Sequence, residues 1–99
     1  MRVRRLETFI VDASEAYAYL SERSPRAADR LLDRIELLIE LLSHFPEIGR
    51  SRPSLGPLIR SHPIRGFRYV AFYKVEGGEV VLLRLWHGSR RLRRKAIGG

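Results

Sequence analysis

The 99-residue sequence predicts a single α+β domain spanning residues 1–99, in the order β-α-α-β-β-β, with a helical hairpin packed on one face of an antiparallel sheet. Three observations carry that reading. Two helix-periodic stretches meet at Ser24-Pro25 with no linker between them, and two alternating apolar stretches meet at Gly77-Gly78. The chain is also long enough for one core and too short for a second, so hairpin and sheet must cover each other.

Arg2 to Leu6 is a short edge-strand candidate. From Thr8 the pattern turns helical, with Phe9, Ala13, Ala16, Tyr17 and Leu20 on one face. Ser24-Pro25 ends this helix and starts the next. The serine accepts a bond from a free first-turn N–H, and proline at the first helical position loses nothing by lacking its own. Ala28, Leu31, Leu32, Ile35, Leu38, Ile39 and Leu42 then form a continuous stripe until Phe45-Pro46 stops the helix. Each large aliphatic side chain of such a stripe gains about 1.5–3 kcal/mol on burial, so the hairpin needs a platform. Leu58 to Ile64, Phe67 to Val75 and Val80 to Trp86 supply it as strands, with Ser51 to Pro57 a loop. Pro63 cannot donate to a ladder and belongs at an edge.

Counting outward from Gly77-Gly78 without a bulge pairs Val75 with Val80, Tyr73 with Leu82, Ala71 with Arg84 and Tyr69 with Trp86. Val70, Phe72, Val81, Leu83 and Leu85 form the cleaner apolar face and are assigned to the helices. A common core of Leu32, Ile35, Ile39, Phe72 and Leu83 is expected. Tyr69, Tyr73, Arg84 and Trp86 then point away from the helices as a mixed aromatic–arginine recognition face.

The formal net charge is +8, and it is unevenly placed: residues 1–50 carry −1 and residues 51–99 carry +9. Such a basic half suits nucleic acid, a nucleic-acid-bound machine or an acidic protein. The absence of cysteine excludes disulfides, thiolate zinc sites and cysteine nucleophiles. No apolar run approaches the roughly 18 residues of a membrane span, and no secretory h-region opens the chain, so a cytoplasmic location is expected.

The ordered punctuation resembles the ParE branch of the RelE/ParE toxin superfamily. The resemblance rests on Tyr19 to Pro25 with Ala27-Ala28 behind, Pro46-Glu47-Ile48-Gly49-Arg50, Ile59-Arg60, Phe67 to Tyr73, and Val80 to Arg90. Arg90-Arg91-Leu92 lacks the acidic residue that many relatives carry there. The resemblance implies a type II toxin held inactive by an antitoxin that is ParD-like, with a DNA-binding ribbon-helix-helix N-terminus, in a hetero-oligomer. It also implies action on DNA gyrase, with no cofactor. RelE members instead cleave mRNA, so an endoribonuclease is the alternative, and the shared fold does not choose between them.

Tyr69, Tyr73, Arg84 and Trp86 are the expected antitoxin contacts, beside the helical-hairpin groove. Arg60, Arg68, Arg90, Arg91, Arg93, Arg94 and Lys95 are the expected target contacts. No catalytic residue is expected under the gyrase reading. The nuclease alternative would use His87 as acid or base, with Arg60 and Arg84 on phosphate. The ideal register opposes it by placing His87 and Arg84 on opposite faces. His44 and His62 have no acidic cluster near them on the sheet, so no metal site is expected. A basic nucleic-acid-binding module without toxicity would explain the charge but not the ordered motifs.

Overall fold

The computed structural model describes residues 1–90 and Ile97. Strand β1 (Arg2–Arg5) leads into helices α1 (Glu7–Arg23) and α2 (Pro25–His44), followed by β2 (Arg50–Ser51), β3 (Ile59–Pro63), β4 (Tyr69–Glu76) and β5 (Glu79–His87). The sheet order is β1-β5-β4-β3-β2, with β1 parallel to β5 and the other pairs antiparallel. The expected α+β architecture is therefore present, with the two-residue β2 added. A strand that short has no period to read, and it pairs only with Arg60 and Ser61.

Ser24 serves both helices. Its N–H donates to Leu20 O and closes α1, while its Oγ accepts from the Ala27 N–H and opens α2 around Pro25. The stripe on α2 buries Ala28, Leu31, Ile35, Leu38 and Leu42. Beyond β2, the outer side of β3 has no neighbouring strand among the described residues. There Pro63 supplies no N–H, and the His62 Nδ1–H donates to the Pro63 carbonyl at 2.9 Å.

The expected hairpin register holds from Glu76–Glu79 to Tyr73–Leu82 and then fails. An irregularity between Phe72 and Tyr73 leaves Leu83 as the extra residue on β5. Beyond it Phe72 opposes Arg84, Ala71 opposes Leu85, and Tyr69 opposes His87 rather than Trp86.

The assignment of faces is also reversed, except at Leu85 and Trp86, which lie beyond the extra residue Leu83 and are on their expected sides. Ala71, Tyr73, Val80, Leu82 and Leu85 pack with Phe9, Leu31, Ile35 and Leu42 beneath the helices. Phe72, Val81, Leu83 and Trp86 pack on the other face with Leu55, Ile59 and Ile97. The expected common core is thus split between two clusters, and Leu32 lies outside both at 43% exposure. The physical reason is that both sheet faces are covered. The loop carrying Leu55 and the residue Ile97 form a second layer, so neither face had to be polar.

Candidate functional site

β1 pairs with β5 only as far as Leu82, and α1 takes over as the neighbour of the strand beyond that point. Thr8 Oγ1 donates to the Leu83 carbonyl at 2.7 Å, and the Leu85 N–H donates to Asp12 Oδ2 at 3.0 Å. Thr8 and Asp12, one helical turn apart, thereby satisfy strand groups that β1 no longer reaches. Asp12 also accepts two bonds from Arg84, from Nε at 2.6 Å and from Nη2 at 2.9 Å. This hydrogen bonding raises the Arg84 pKa above its ordinary value, against the opposing effect of burial.

The expected recognition face is consequently not presented as such. Tyr73 is fully buried beneath the helices, and its hydroxyl accepts the Gly49 N–H at 2.8 Å. Trp86 lies in the second cluster. Its ring carries the Arg84 guanidinium at 5.0 Å and that of Arg90 at 4.2 Å, and its Nε1–H donates to the Arg90 carbonyl at 3.2 Å. Tyr69 lines an open cleft. Arg84 does need a partner, as an arginine among aromatics should, and Asp12 is one that sequence reasoning missed. Its signal was modest: an acid one turn after Thr8, beside the buried Phe9–Ala16 stripe.

The nuclease trio is not brought together either. Arg60 donates from Nη1 to the carbonyls of Glu47 and Gly49, at 3.1 and 2.8 Å. It sits opposite Tyr73, whereas His87 sits opposite Tyr69, about 13 Å further along β4 at the usual rise per residue. Gly49 explains why its motif carries a glycine. A Cβ there would lie 2.5 Å from the Tyr73 hydroxyl and 2.9 Å from the Ser61 carbonyl.

His87, Ser89 and Arg90 instead meet α1. Together with Asp12, Glu15, Tyr19 and Tyr69 they line an open cleft of about 390 Å³. A second cleft of about 490 Å³ adjoins it, reaching Arg68 and Phe67 and sharing Tyr19, Tyr69 and His87. Ser89 donates to His87 Nδ1 twice, from Oγ at 2.6 Å and from its backbone N–H at 3.2 Å. With Nδ1 accepting, the ring proton resides on Nε2. The Tyr69 ring meets His87 edge-on at 5.2 Å, and burial pushes its hydroxyl pKa upward, with a smaller push from Tyr19. Of the basic tail only Arg90 falls within the described residues; Arg91, Arg93, Arg94 and Lys95 lie outside them.

A third opening, about 510 Å³ and mostly apolar, lies between the two helices. Phe9, Ile10, Ala13, Tyr17, Leu32 and Ile35 line it, with Arg5 and Glu36 at one end. Arg5 and Glu36 form an ion pair at 2.9 Å. Among the described residues there is no cluster of three or more groups able to hold a metal ion, and no helix long and apolar enough to cross a membrane.

The comparisons with known proteins agree with this architecture. The chain is 38% identical over 79 residues to Toxin RelE1 of Caulobacter vibrioides, covering 78% of this chain and 82% of that one. It is 34% identical over 67 residues to Toxin ParE3 of the same organism, covering 68% and 65%. A solved structure described as a chromosomal ParDE TA system from P. aeruginosa shares the fold, with a TM-score of 0.76 at 22% identity over 88% of this chain and 95% of that one. Residues 3–92 match the family model described as the ParE toxin of the type II toxin–antitoxin system parDE. With that match over nearly its whole length, the chain belongs to the ParE family of type II toxins.

Proposed function

We propose that this toxin is held in the cytoplasm by a ParD-like antitoxin with a ribbon-helix-helix N-terminus, and that the freed toxin acts on DNA gyrase or its DNA complex. The antitoxin's C-terminal segment covers the α1–α2 groove, where Ile10 and Leu32 are exposed beside Phe9 and Ile35. This replaces the sheet face as the principal contact, because Tyr73 and Trp86 are buried. Arg68, Arg90 and the tail cations Arg91, Arg93, Arg94 and Lys95 form the target contact. Arg60 is occupied by loop carbonyls and is left out of it.

The observation that carries the gyrase reading is the dispersal of the nuclease trio. Arg84 is bonded to Asp12 and Arg60 to the loop, which leaves His87 without either cation on a shared phosphate. The endoribonuclease reading is favoured by one observation, the accessible Nε2–H of His87 in an open cleft.

Purified toxin freed of antitoxin decides between them. The gyrase reading expects inhibited supercoiling or accumulated gyrase-cleaved DNA, with His87→Ala largely active. Replacing the tail cations by serine should reduce the effect, and added salt should weaken it. Ribosome-dependent RNA cleavage abolished by His87→Ala, with gyrase unaffected, would overturn it.

A further inference from the structure

We propose that the cleft between the second half of α2 and the end of β3 docks an acidic amphipathic helix of a second protein, a partner distinct from the antitoxin segment in the α1–α2 groove. This goes beyond the proposed function, since it uses neither that groove nor the basic tail.

The sequence of α2 sets up the face. Arg30, Arg34, Leu37 and Leu41 recur at spacings of three and four, and Phe45 follows one turn later. This row runs beside the buried stripe, not within it, and Leu37 and Phe45 stay 58% and 60% exposed. With the end of β3 the helix lines an open cleft of about 330 Å³, to which Leu37, Leu38, Leu41 and Ile64 give an apolar surface. A contiguous apolar row left in water marks a contact surface.

Charge selects the occupant. Arg34 and Arg65 line the same cleft, both exposed and both without an ion-pair partner among the described residues. Among those residues no aspartate or glutamate lines it. Two free guanidinium groups beside leucines match carboxylates set beside apolar side chains.

Backbone chemistry selects a helix over an added strand. At this end of β3, Pro63 offers no N–H and its carbonyl is bonded to His62. The occupant must therefore bind through side chains. The row from Leu37 to Phe45 rises about 12 Å, which two turns of a partner helix would cover.

The cleft is also separate from the antitoxin groove. Leu32 lines the groove and Leu37 the cleft, and five residues of helix set them about 140° apart around α2. A segment seated in the groove leaves the cleft open, so the toxin can hold both.

The test uses the full-length toxin, free and with its antitoxin bound, and fluorescein-labelled synthetic peptides of about fourteen residues, roughly four helical turns. One carries leucine at helical spacing with glutamate between. A second scrambles the same composition, and a third replaces glutamate by lysine. Anisotropy should show the patterned acidic peptide bound at least about tenfold tighter than the scrambled one, with the lysine version unbound. Saturating antitoxin should change that affinity by less than about twofold, as two uncoupled sites require. Leu37→Ser should weaken peptide binding by about tenfold, while unchanged antitoxin affinity shows that the variant is folded. Arg34→Gln combined with Arg65→Gln should weaken it and flatten its salt dependence. Equal binding of the scrambled peptide, or an unchanged affinity in Leu37→Ser, would overturn the proposal and leave only charge attraction. Displacement of the peptide by antitoxin would overturn it in favour of an antitoxin contact, and toxin dimerisation lost in Leu37→Ser in favour of a second copy. Because gyrase is absent from these measurements, the gyrase reading stands or falls separately.

Discussion

Asp12 and Arg84, 72 residues apart in sequence, form a two-pronged ion pair in which the acid is the more buried partner, at 8% side-chain exposure against 22%. The same carboxylate holds the Leu85 N–H. The pair therefore joins α1 to β5 just where β1 has ended, making Asp12 part of the sheet's edge bonding as well as a counter-ion.

Asp12→Ala should destabilise the fold by about 2–3 kcal/mol, since it removes the carboxylate that binds both a partly buried guanidinium and a strand N–H. Arg84→Met should cost less, because Asp12 keeps its backbone bond. The double variant should lose clearly less than the two singles combined, as measured by urea denaturation. Additive losses would show that the two side chains are energetically independent.

Gly49→Ala should be more damaging than its size suggests. The added methyl meets the Tyr73 ring at 2.6 Å as well as the Ser61 backbone carbonyl at 2.9 Å, and neither neighbour is a flexible chain end. A loss of about 2–3 kcal/mol is expected, read as a lowered denaturation midpoint at unchanged m-value. Gly77→Ala meets no atom within 4 Å and is strained only by its φ of 60°, so its cost should be smaller.

Tyr73 makes stability sensitive to alkaline pH. Burial, the largest cause, raises its pKa above 10.0, against smaller lowering effects from the Gly49 hydrogen bond and Arg60. Below the unfolded pKa the phenol is neutral in both states, and its contribution is fully present. As pH rises from about 10 through the higher folded value, the unfolded chain ionises more readily and stability falls. Tyr73→Phe should flatten part of that decline while costing about 1 kcal/mol at neutral pH through the lost bond to Gly49. Denaturation curves between neutral and strongly alkaline pH would reveal an unchanged decline if Tyr73 were not responsible.

Leu32 offers a separation of binding from folding. It is exposed on the wall of the α1–α2 groove, so Leu32→Asp should change stability by no more than about 0.5 kcal/mol. Affinity for a co-expressed antitoxin should fall by over tenfold, because a charge would be buried without a partner. Calorimetric titration showing the affinity of the original toxin would move the contact elsewhere.

The features readable in the sequence were those whose cause is local. Ser24-Pro25 acts within one turn on either side, and Gly77-Gly78 adopts positive φ at both positions, so each marks its place without reference to the rest of the fold. The two-sided sheet was beyond that kind of reading. Alternation tells faces apart only when one is polar, and both faces of β4 and β5 are apolar. Leu83 carries no glycine or polar residue to announce a bulge, yet it shifts every later partner. Site residues followed the same division: His87, Arg68 and Tyr69 do reach an open trough, whereas Arg60, Tyr73 and Trp86 are claimed by contacts that exist only once distant segments have met.

The proline and imidazole on β3 have a consequence for the toxin's behaviour when it is alone. A strand end with alternating free N–H and C=O groups is a template on which another copy can add. Here one donor is missing at Pro63 and the adjoining carbonyl is already taken by His62. At the opposite margin β1 carries Arg2, Arg4 and Arg5, the latter two paired with Glu79 and Glu36, and an incoming strand would have to fit these charged side chains against its own. Both ends of the sheet are thus guarded against self-association, which favours a dispersed monomer over an edge-to-edge polymer.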